Sequence, residues 1–117
     1  MRLLNPDPGE MYDRLTILAW KIEEAMLQEK ESMTINFQKE FNDLLHKLKL
    51  PEKTRPMLQL ASVNGLLRED MNRLEFFVNS RERLNAGLVG ERIVKLNKRR
   101  ASLVAKINGR AVSQEKL

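Results

Sequence analysis

Arg100 stands where an arginine is rarely tolerated. On a helical wheel it falls in the middle of an apolar stripe, between Leu96, Leu103 and Ile107, with Asn97 beside it. Burying an unpaired guanidinium is expensive, so the position calls for a partner such as Asp13, Glu24 or Asp70. Two readings fit. In the structural one the arginine forms a salt bridge inside the fold, or extends its head to water at the end of a bundle. In the functional one it anchors a pocket for a small anion, with Asn64 and Asn97 adding directional hydrogen bonds and Asp13 close by.

The remaining reactive side chains form weaker patterns. Arg92, Lys95, Lys98, Arg99 and Lys106 make a basic face off the apolar stripe, with Arg110 and Lys116 beyond it. Such a face suits phosphate backbones, although a solvated surface is the commoner outcome. No aromatic residue follows Asn79, so no stacking platform for single strands is present. Glu10 with Asp13, and Glu40 with Asp43, have the i, i+3 spacing of a helical carboxylate pair, but neither belongs to the repeated acidic cluster that a Mg²⁺ site needs. His46 points away from its helix's apolar seam and has no histidine or cysteine companion, which marks a surface residue. There is no glycine-rich phosphate loop and no nucleophile elbow. The reading is therefore of a chain with no catalytic residues, no cofactor and no metal.

The elements that must hold these residues are helices. Asp7 as N-cap, Pro8 in the first turn and Glu10 three residues past the cap mark one start. Met11, Leu15, Leu18, Ile22 and Ala25 then form a continuous seam, widened by Tyr12, Ala19 and Met26. Ile17, Trp20 and Leu27 fall on the opposite face of that helix. A helix apolar on two sides needs two surfaces to bury against, so this patch is the expected homodimer or partner contact.

The second helix follows Ser32 or Thr34 as N-cap, with the seam Phe37, Phe41, Leu44 and Leu48, and Pro51 ends it. A third starts at Thr54 with the seam Leu60, Val63, Leu67, Met71, Leu74 and Val78. Ser80 offers a cap for a further helix, yet Gly87 and Gly90 weaken that, and Asn85-Ala86-Gly87 reads equally as a turn. The last helix runs from Glu91 to about Asn108, with Val89, Ile93, Leu96, Leu103, Val104 and Ile107 inward and Gly109 as its stop. The fold class is all-α: an antiparallel bundle of about four helices over residues 1–109, with completion of the core by dimerisation as the alternative, followed by a disordered basic tail at 110–117.

Composition fits this reading. The 117 residues suffice for one core, and 42% hydrophobic with 32% charged content is ordinary for a helical domain. The absence of cysteine excludes disulfides and thiolate chemistry. No apolar run approaches the roughly 20 residues that span a bilayer, and the apolar part of the N-terminus is too short for a secretory signal, so cytoplasm is the expected compartment. Residues 1–80 hold 11 Lys/Arg against 13 Asp/Glu, whereas residues 81–117 hold 10 against 3. The net charge of +5 thus resides in the last helix and tail.

The run Gly9-Glu10-Met11-Tyr12-Asp13-Arg14-Leu15-Thr16-Ile17-Leu18 resembles the opening signature of a small uncharacterised bacterial helical family, Gly-Glu-apolar-apolar-Asp-Lys-apolar-Thr-Ile-Leu, followed by a lysine matching Lys21. The last helix is similar in Asn97, Arg100-Ala101 and Lys106-Ile107-Asn108. The middle departs from the pattern: Asn64, Leu67 and Glu69-Asp70 sit at different spacing and the family's tryptophan is missing. The resemblance covers about a third of the chain and implies an all-helical fold with Asp13, Thr16, Asn97 and Arg100 near one another. It implies no activity. Ile93-Val94-Lys95-Leu96 to Lys106 also looks like the arginine-bearing first helix of helical chorismate mutases, but here that helix comes last and those that should follow are absent. The expectation is a non-enzymatic interaction or assembly module, homodimeric through Ile17, Trp20 and Leu27. The alternatives are a small-anion protein centred on Arg100 and a weak nucleic-acid binder.

Overall fold

The computed structural model describes residues 8–109, and among these every regular element is a helix. They are α1 (Pro8–Leu27), α2 (Glu31–Leu48), α3 (Thr54–Asn79) and α4 (Arg83–Ile107). The expected Asp7 cap and the tail with Arg110 and Lys116 lie outside the described residues. The chain divides into two compact units whose boundary falls between Leu58 and Gln59, inside α3.

The first unit is the α1–α2 hairpin with the first turn of α3. The α1 seam buries Leu15, Leu18, Ala19 and Ile22, and Phe41 from α2 completes a fully enclosed cluster. Phe37, Leu44, Leu45 and Leu48 pack around it with Leu50 and Leu58, as the spacing of the second seam requires. Tyr12 and Met26, predicted to widen the α1 seam, are exposed, and Glu23 is buried on that side instead.

Three of the four helices end without a glycine. Lys30 N–H reaches the Ala25 carbonyl while Glu29 N–H reaches Met26, with Glu29 in the left-handed region at φ 55°. The same paired bonds recur at Lys49 (φ 53°) with Leu50 and at Arg81 (φ 58°) with Glu82. This pattern satisfies orphan helical carbonyls, and a side chain there adopts a conformation usually left to glycine. At the second turn Leu50 folds back onto the core beside Leu45, which anchors the reversal. Helix α2 accordingly stops at Leu48, ahead of the proline predicted to end it.

The α2 start also differs from expectation. Glu31 is its first residue, after Lys30, and neither Ser32 nor Thr34 caps it. Thr34 is buried one turn inside, where its hydroxyl donates to the Lys30 carbonyl over 2.9 Å. Thr54, predicted as a cap, is the first residue of α3.

The second unit is the hairpin of α3, from Gln59 on, with α4. Helix α4 begins at Arg83, eight residues before the predicted start at Glu91, so Asn85-Ala86-Gly87 is helical and not a turn. Gly87 and Gly90 face open space. Its end is as predicted: Asn108 follows the last helical residue and Gly109 takes φ 72°. Val89, Leu96 and Leu103 are buried at heptad spacing, with Ile93, Val104 and Ile107 half-buried beside them. In α3 the buried residues include Gln59, Ser62, Val63, Leu66, Leu67 and Asp70, while Met71 and Val78, predicted for the seam, are exposed. The inward face is therefore rotated from the predicted one, and a carboxylate occupies it.

Candidate functional site

In the second unit the charged residue inside a seam is Asp70, not Arg100. Its side chain has no exposed surface, and its Oδ2 accepts a 2.9 Å bond from Arg92 Nε across the hairpin. Its Oδ1 accepts from Arg73, one turn along α3. A carboxylate removed from water needs its lone pairs filled in this way. Arg92 is thereby committed to the interior, three-quarters buried, and leaves the basic face on which the sequence placed it. Arg99 is half-buried as well, and also engaged in an interaction. Lys95, Lys98 and Lys106 remain exposed on α4.

Arg100 is exposed. Its Nε donates to Asn64 Oδ1 at 3.2 Å, which joins two of the predicted anion-site residues, and Asn97 is exposed on the same helix. Within α4, Arg100 continues the row of Ile93 and Ile107, but its long side chain leaves that row for solvent. Asp70, one of the partners proposed for it, is taken by Arg92. Asp13 and Thr16 lie in the other unit. Both are exposed, and the Thr16 hydroxyl donates to the Asp13 carbonyl at 2.8 Å, a bond within one helical turn.

Among the first unit's polar contacts, one ion pair is bidentate. Arg14 Nε and a terminal guanidinium nitrogen donate to the two oxygens of Glu40 at 2.7 and 2.9 Å, linking α1 to α2. These bonds hold the Glu40 carboxyl below the usual carboxylate range and push Arg14 further up; partial burial opposes both shifts. Glu40 therefore serves an arginine, and among the described residues no three metal-ligating side chains converge. His46 is exposed, at the edge of an open concavity shared with Asn42, Lys49 and Arg55.

The Trp20 surface is more structured than one helix face. Trp20 is half-buried because α2 supplies a second wall: Met33 and Phe37 join it, with Lys21 and Glu24, around a groove of about 310 Å³. The Lys21 ammonium sits 5.5 Å from the centre of the Phe37 ring, a cation–π distance. Ile17 is exposed one turn before Trp20 and Leu27 half-buried two turns after it. The α1 periodicity identified Trp20. Met33 and Phe37 were missed as its neighbours, since only the hairpin's register brings them there.

No protein family's sequence profile matches this chain, and no curated protein or solved structure is significantly similar to it. Among the described residues no helix is long and apolar enough to cross a membrane.

Proposed function

We propose that this chain is a non-enzymatic helical interaction module that pairs with a second copy of itself through the outer face of α1. The observation that carries the reading is the groove in which Trp20 faces Met33 and Phe37, with Ile17 one turn before Trp20 on α1 and Leu27 two turns after it. Tryptophan is favoured as an interface anchor, and methionine adapts to the shape of what it meets. The groove is lined by Glu24 together with Lys21 and Lys30, so across a two-fold axis each copy offers a carboxylate to the other's lysines.

Light scattering behind a sizing column tests this. The wild-type chain is expected at twice its chain mass, and Trp20→Asp at the single mass with an unchanged helical circular dichroism spectrum. A wild-type monomer, or a Trp20→Asp dimer, overturns the reading.

The Arg100–Asn64 bond favours a second reading, a surface site for a small anion. Thermal shift with phosphate and small dicarboxylates addresses it. Stabilisation of the wild type that vanishes in Arg100→Leu supports the site, and an equal response of both proteins removes it.

A further inference from the structure

The turn between α3 and α4, in the second unit, combines three features that together describe a ligand. The first is apolar exposure. Phe76, Val78, Leu84 and Leu88 are all more than half exposed, and Leu84, at 78%, is the most exposed large hydrophobic side chain among the described residues. The four flank one turn in sequence, and Val78 among them lines the concavity at that turn.

The second is shape. Phe77, Val78 and Ala86 share a concavity of about 340 Å³ with Arg81, Glu82 and Arg83. Phe77 is fixed there by an edge-to-face contact with Phe76, ring centres 5.7 Å apart.

The third is charge. Glu82 is engaged by Asn85, whose Nδ2 donates to it at 2.9 Å. Neither the Arg81 nor the Arg83 side chain has a bonded partner among the described residues, and both are exposed. They also stand at the positive end of α4, whose first turn contains no acidic residue. Glu82, the N-cap residue of α4, is the one carboxylate lining the concavity, against the two arginines.

We propose that the α3–α4 turn is a docking surface for an acidic, apolar peptide segment of a partner protein. Its hydrophobic side chains rest on Phe77, Val78 and Ala86, and its carboxylates pair with Arg81 and Arg83. Charge complementarity selects this occupant. Two free guanidinium groups beside an apolar floor match a carboxylate next to a leucine or phenylalanine. A nucleic-acid backbone leaves the apolar floor unused. The surface is distinct from the Trp20 groove, so either proposal can fail without the other.

Random dodecapeptides displayed on phage, selected against the full 117-residue chain, provide the test. Enriched peptides are expected to have Asp or Glu within one helical turn of a large apolar residue. Synthesised, they are expected to bind Arg81→Glu/Arg83→Glu at least tenfold more weakly. Arg81→Gly separates folding from binding: it removes one charge while suiting the left-handed turn, so affinity falls although the melting temperature holds or rises. The proposal is overturned if no peptide is enriched, if enrichment is indifferent to acidic residues, or if the charge reversal leaves binding unchanged. It is equally overturned if the reversal converts a dimer to a monomer, which would make a second copy the occupant.

Discussion

Arg92 donates to Asp70 across 22 residues of sequence, and this bond joins α3 to α4 inside the second unit. Asp70 is fully buried whereas Arg92 and Arg73 are only partly so, and the three do not contribute symmetrically. Losing an arginine leaves a carboxylate short of a donor in a dry site. Losing the carboxylate leaves guanidinium groups that can turn to water.

Arg92→Leu is therefore expected to cost about 3 kcal/mol in urea-denaturation stability, the scale for breaking a buried pair from one side. The double variant Asp70→Leu/Arg92→Leu is expected to recover much of that loss, because a buried ion pair is often replaceable by apolar groups. Equal losses in the single and double variants would show that Asp70 is not the group that makes the arginine necessary.

The helix ends provide a second expectation. Glu29, Lys49 and Arg81 each hold a left-handed conformation in which a side chain is disfavoured by about 1 kcal/mol. Glu29→Gly and Lys49→Gly are each expected to raise stability by a few tenths to about 1 kcal/mol, measured by thermal denaturation. A loss of stability at either site would mean that the side chain makes a contact outweighing its backbone strain.

Acid should act on the first unit through Glu40. Its folded-state pKa is lowered by the two bonds from Arg14, so its contribution is fully present above the unfolded value of about 4.3. That contribution is lost as pH falls through the lowered folded value. Both side chains are more than a third exposed, so the effect is that of a surface pair, about 1 kcal/mol at most. Comparing wild type with Glu40→Gln from pH 7 down to pH 3 should show the stability difference shrinking below about pH 5. A difference that stays constant over this range would exclude the ion pair as its source.

Much of the fold was legible from periodicity. The spacing of Leu15, Leu18 and Ile22, of Phe37, Phe41 and Leu44, and of Leu96 with Leu103 is local information, since residues three or four apart share a helix face whatever lies opposite. The all-α class, four helices, and Gly109 just past the end of α4 follow from that alone. Helix ends were harder to read because the reversals at Glu29, Lys49 and Arg81 lack the usual glycine. The start of α4 was hidden by Gly87 and Gly90, whose modest propensity cost is outweighed within a long helix.

Tertiary structure decided which polar residues were buried and which surfaces had a second wall. Arg100 and Asp70 both lie near apolar stripes. Only the alignment of α3 with α4 brings Arg92 to Asp70 and leaves Arg100 at the surface beside Asn64. The sequence marked Trp20 as apolar and misplaced, but its walls come from Met33 and Phe37, 13 and 17 residues further on. Burial and pairing depend on the register between helices, which is set by all their side chains packing at once. A helix's own periodicity shows which side turns inward, and the neighbouring helix determines which residue it meets there.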